Sequence, residues 1–97
     1  MPLPIVFRDI ARQEFDESIS WYENQRTGLG IQFADEIDLW LSRIAGTPEQ
    51  FRQVRGEVRQ AVLRRFPYTI QFLIESNRIV VLGVFHVKRN PRRLEGR

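Results

Sequence analysis

The sequence predicts a single α+β domain over residues 1–97, in the order β-α-α-β-β-β, with a helical hairpin packed on a small, mainly antiparallel sheet. Three observations carry this prediction. Residues 9–47 repeat apolar side chains at helical spacing in two blocks separated by glycines. Residues 57–88 alternate apolar and polar side chains, or run apolar, as strands do. The chain has 97 residues, 42% of them hydrophobic and eleven aromatic, enough for one core without staples.

Residues 1–8 hold the first strand, "PIVFR", which is β-branched or aromatic and bounded by proline. Asp9 follows at a position where its carboxylate can cap a helix. Ala11, Phe15, Ile19 and Tyr22 form the apolar stripe of that helix, and Gly28 and Gly30 end it. A second helix runs from about Ile31 to Ala45, with Phe33, Ile37, Trp40, Leu41 and Ile44 on one face, until Gly46, Thr47 and Pro48 stop it. Residues 49–56 read as loop. "EVRQAVLRRF" (57–66) reads as a strand, although its mixed alternation also fits a helix. "YTIQFLIE" (68–75) alternates cleanly, and "RIVVLGVFHV" (78–87) is apolar on both faces, as a central strand is. Residues 89–97 form a basic tail.

Ser76-Asn77 reads as a two-residue hairpin loop. With that loop, Glu75 faces Arg78, Phe72 faces Val81, Tyr68 faces Phe85 and Pro67 faces His86. Ile70, Phe72 and Ile74 then share the helix-covered face with Ile79, Val81, Gly83 and Phe85. His86, the one histidine, falls on the opposite face with Val80, Leu82, Val84 and Lys88, and Arg64, Arg65, Lys88 and Arg89 converge beside it. Four clustered cations repel one another, so the arrangement implies an anionic partner.

Charge is divided along the chain. Residues 1–51 hold four arginines against nine acids, a net of −5, while residues 52–97 hold eleven cations against three glutamates, a net of +8. Fourteen of the fifteen cations are arginine, whose rigid fork of donors suits phosphates and carboxylates. With no cysteine and one histidine there is no thiolate nucleophile, disulfide framework or multi-histidine metal site, so neither a metal nor a cofactor is expected. The longest apolar run is too short to span a bilayer and no signal-peptide layout is present, so the expectation is a cytoplasmic protein without a membrane partner. His86 is a candidate general acid or base, and Glu57 a candidate general base near the cluster. Trp40 lies on the second helix's apolar stripe and suits core packing; Trp21 lies beside the first stripe and suits an exposed anchor.

The run "VRQAVLRRFPYTIQFLIESNRIVVLGVFHVKRNP" resembles the C-terminal signature of the RelE/ParE toxin superfamily, especially its ParE-like branch. Arg59, Arg65-Phe66-Pro67-Tyr68, the Ile70/Phe72 alternation, strand 79–85, His86 and Arg89 before Pro91 carry the likeness. Ala11, Phe15, Tyr22, Phe33 and Pro48 extend it, so it spans roughly residues 5–91.

The resemblance implies a toxin of a type II toxin–antitoxin, or plasmid-stabilisation, system, held off by an acidic cognate antitoxin. ParE-like members inhibit DNA gyrase without catalysis; RelE-like members cleave mRNA on the ribosome without metal. RelE-like nucleases tend to carry basic residues along the second strand of the chain, where this one has Gln60 and Val62, and often an arginine directly after the tyrosine of the third strand, where it has Thr69. They also commonly end with a catalytic tyrosine, and no tyrosine follows Tyr68. The expected function is therefore gyrase inhibition, with the ribosome-dependent mRNA endonuclease as the alternative. The expected target-binding set is Arg64, Arg65, His86, Lys88 and Arg89; in a nuclease, His86, Arg65 and Arg89 would be catalytic. Trp21, Arg59, Arg92 and Arg93 are the expected antitoxin contacts, in a toxin–antitoxin hetero-oligomer, with a homodimer the other assembly allowed.

Overall fold

A computed structural model of the chain describes residues 2–88. Five strands and two helices follow in the order β1 (Ile5–Phe7), α1 (Asp9–Gln25), α2 (Leu29–Gly46), β2 (Arg52–Arg55), β3 (Val58–Val62), β4 (Tyr68–Glu75) and β5 (Arg78–His86). The predicted α+β architecture holds: the helical hairpin packs on a five-stranded sheet of order β1-β5-β4-β3-β2. β1 pairs parallel with β5, and every other neighbour is antiparallel.

The region read as loop, 49–56, holds a strand. Pro48–Gln50 form one 3₁₀ turn and Arg52–Arg55 then pair with β3 through a turn at Gly56, whose φ is +50°. Local pattern hides β2 because Arg52-Gln53-Val54-Arg55 is short, polar and on the sheet edge, where no alternating apolar face is required. β3 also stops at Val62 rather than running to Phe66, and residues 63–67 turn back into β4. Asp9 does not cap α1: it is the first helical residue, and Arg8 at the cap position makes no side-chain capping bond.

The two helices meet closely. Gly30 lies so near α1 that an added Cβ would sit 2.7 Å from the Ile19 carbonyl oxygen. Glu23 of α1 accepts the backbone N–H groups of Gly28 (2.9 Å) and Gly30 (3.0 Å), so a carboxylate from one helix caps the start of the next. Between helices and sheet lies an aromatic core centred on the fully buried Phe33, whose ring contacts Phe15, Tyr22, Phe66 and Tyr68 at centroid distances of 4.7–6.2 Å. Trp40 packs at its edge against Phe51, as its stripe position suggested.

Candidate functional site

The β4–β5 register decides where His86 points. The Ser76-Asn77 loop holds two residues, and Glu75↔Arg78, Ile74↔Ile79, Leu73↔Val80 and Phe72↔Val81 pair as expected. Gln71 then faces Gly83, so β5 carries one more residue than β4 across this step, and the remaining pairs become Ile70↔Val84, Thr69↔Phe85 and Tyr68↔His86. Tyr68 therefore does not face Phe85, nor Pro67 His86; the Val87 N–H instead donates to the Pro67 carbonyl at 2.9 Å.

This bulge inverts the predicted facing of the strand end. Val84 joins the helix-side core, while Val80 and Leu82 belong to a separate cluster with Val58 on the other side of the sheet. His86, two residues after Val84 and paired with the core residue Tyr68, lies on the helix side, and its ring meets Tyr68 edge-on at 5.3 Å. It is half-buried, and its Nδ1 accepts the Lys88 backbone N–H at 3.1 Å. In a neutral imidazole the proton then sits on Nε2, which leaves that nitrogen a donor rather than a base.

Arg64 and Arg65 lie in the turn between β3 and β4, at the same end of the sheet as His86 and Lys88. Their backbone N–H groups both donate to one Glu36 oxygen of α2, at 3.0 and 2.9 Å, and Glu36 is only 7% exposed. The turn is thus pinned to α2. The Arg65 guanidinium donates to Gln32 Oε1 at 3.0 Å and lies over Phe66; both arginines are exposed. Arg89, Arg92 and Arg93 fall outside the described residues.

The other sequence candidates separate. Arg59 is committed inward, its Nη1 donating to the carbonyls of Glu49 (3.1 Å) and Phe51 (2.7 Å), so it fastens the 3₁₀ turn to β3. Trp21 is 43% exposed and meets Tyr22 edge-on. Glu57 stands in the β2–β3 turn, beyond the end of β3 away from Val62, and so is not near the cluster.

Sequence reasoning missed the carboxylates that build the site. Glu14, 5% exposed, accepts the Val84 N–H at 3.2 Å, on the part of β5 that extends past the last β1 pair at Val81. Glu36 and Glu14 each lie one residue before a buried stripe position, Ile37 and Phe15, and that placement was the available signal. Among the described residues no cluster of histidine, cysteine or acidic side chains could hold a metal, and no helix is long and apolar enough to cross a membrane.

Two helices on a five-stranded sheet of this order, with the β3–β4 turn and the β5 terminus bringing basic side chains to one end, give this molecule the RelE/ParE-like fold. The family model of the ParE toxin of the type II toxin–antitoxin system parDE matches residues 5–91, and the chain belongs to that family. It is a ParE-type toxin. A chain of the chromosomal ParDE system from P. aeruginosa superposes with a TM-score of 0.77 at 16% identity, over 87% of this chain and 95% of that one. A chain of the RelBE2 toxin–antitoxin complex from Mycobacterium tuberculosis superposes with a TM-score of 0.64 at 17% identity, over 89% and 99%. At such identities the likeness is one of fold. No curated protein matches the chain.

Proposed function

We propose that this toxin inhibits DNA gyrase without catalysing a reaction of its own, and that a cognate acidic antitoxin neutralises it. The observation that carries the reading is the state of the strongest catalytic candidate. His86 Nδ1 is engaged by the Lys88 N–H, so proton abstraction at that nitrogen would cost the turn its hydrogen bond. Membership of the ParE family supports the same reading. So do the positions where a nuclease set would stand: Thr69 is buried in the sheet and Gln60 is bonded to Gln71. Arg64, Arg65 and Lys88 supply the charge for a partner surface, with His86 as a half-buried binding residue at the same end of the sheet, and Arg89 adds a further cation to the sequence that follows. An antitoxin partner accords with the neighbouring ParDE and RelBE2 structures, which are of toxin–antitoxin systems.

The test is a supercoiling and DNA-cleavage assay with purified gyrase, relaxed plasmid and ATP. Accumulation of protein-linked linear DNA, reversed by antitoxin, is the expected result. Unimpaired supercoiling at large toxin excess would overturn the reading, and codon-internal mRNA cuts on translating ribosomes would then establish the endonuclease in its place.

A further inference from the structure

The sheet has a second apolar face, turned away from the helices. Val58, Val80 and Leu82 cluster there, and the strand register adds Thr69, Gln71 and Phe85 to the same side. Both helices pack against the opposite side, on Ile70, Phe72, Val81 and Val84, and among the described residues only strand side chains belong to the outer cluster. A sheet face left to water exposes the side chains of its middle strands, because lateral neighbours cover their flanks and not their tips. Here the middle is covered. Phe85 is 0% and Leu82 3% exposed, and Val58, Thr69, Gln71 and Val80 are buried with them, whereas Val62 nearby on β3 is 55% exposed. A second copy or a partner would leave these residues open in the single chain, so the chain itself supplies the cover. Outside the described residues it has Met1 and residues 89–97, and one methionine does not span side chains on three strands.

We infer that residues 89–97 form a strap across the outer face of the sheet, running from the end of β5 toward β2, with Leu94 seated over Leu82 and Phe85. The chain is already turned at the departure point: the Val87 N–H donates to the Pro67 carbonyl and the Lys88 N–H to His86 Nδ1. Reach is sufficient, since nine residues span up to about 30 Å and the step from β5 to β2 is three strand spacings, about 14 Å. Leu94 is the segment's one large apolar side chain, and Glu95 follows it. On β2, Arg52 and Arg55 pair with Gln60 and Val58 and so share the outer face, which sets two guanidinium groups where the strap brings its carboxylate. Arg89, Arg92, Arg93 and Arg97 keep their charges in water, because an unpaired guanidinium is costly to bury. The tail's arginines then belong to a fixed cationic surface on the side of the sheet opposite the helices.

The experiment uses the full-length toxin with labelled methyl groups. Nuclear Overhauser contacts from the Leu94 methyls to those of Val80 and Leu82 are expected. Contacts from Leu94 to helix methyls such as those of Leu39, or to neither group, overturn the strap. Leu94→Asp is then compared with Ile31→Asp, the same kind of change at an exposed position on α2. Leu94→Asp is expected to lower Tm by about 8 °C or more and to raise binding of a dye that reports apolar surface. Ile31→Asp is expected to move Tm by less than about 4 °C. Equal shifts in the two variants overturn the strap. Should Leu94→Asp fail to fold, Leu94→Ala makes the same comparison against Ile31→Ala, and the wild-type methyl contacts decide independently of both.

Discussion

The acidic helical half and the basic strand half of this toxin use their charges in opposite ways. In the helices, Glu14, Glu23 and Glu36 all turn toward backbone N–H groups: one on β5, two at the start of α2 and two in the β3–β4 turn. These acids substitute for missing ladder and helix partners. In the strands the arginines divide. Arg59 serves backbone carbonyls and Arg55 serves Gln71 Oε1 at 2.7 Å, whereas Arg64 commits only its backbone. The ion pairs Arg12–Asp16 and Arg78–Glu75 are local and exposed. Of the nine acids of residues 1–51, the two buried ones, Glu14 and Glu36, thus face backbone N–H groups rather than the arginines of residues 52–97. What the difference teaches is that charge surplus in a small domain is available to partners only where the backbone has not claimed it.

Breaking the acidic side of the comparison gives the largest expected effects. Glu36→Ala removes the shared acceptor of two partly buried N–H groups and is expected to cost about 2–3 kcal/mol in denaturant unfolding. Glu23→Ala uncaps α2 and is expected to cost about 1–2 kcal/mol. A thermal melt indistinguishable from wild type for either variant would mean the carboxylates are incidental. Sharpening the basic side needs two arginines compared directly. Arg59→Ala loses bonds to the Glu49 and Phe51 carbonyls and should cost about 1–2 kcal/mol. Arg64→Ala should change stability by less than about 0.5 kcal/mol, since its guanidinium makes no bond within the described fold. Equal costs at the two positions would erase the distinction between structural and available arginines. His86→Ala separates the functional readings: a modest loss of gyrase inhibition is expected, against near-complete loss if the imidazole were a nuclease base.

Much of this was legible locally. The helical hairpin follows from the stripes Ala11–Phe15–Tyr22 and Phe33–Ile37–Ile44, and the two-residue turn at Ser76-Asn77 from strand alternation on either side. Periodicity is a property of a few consecutive residues, so sequence can carry it. β2 escaped because an edge strand needs no apolar face.

The sequence by itself determined the fold class, the order of elements that carry the site, and the surplus of arginine in the second half. Tertiary structure alone decided the facing of His86, because one additional residue in β5 opposite the Gln71–Phe72 step reverses the alternation that any local reading extends. It also decided which charges remain available. Glu36 meets Arg64 across 28 residues and Glu14 meets Val84 across 70, and such pairings exist only once the helices are laid on the sheet. Buried N–H groups demand an acceptor wherever the fold leaves them short, and the chain supplies it from whichever side chain packing has brought near.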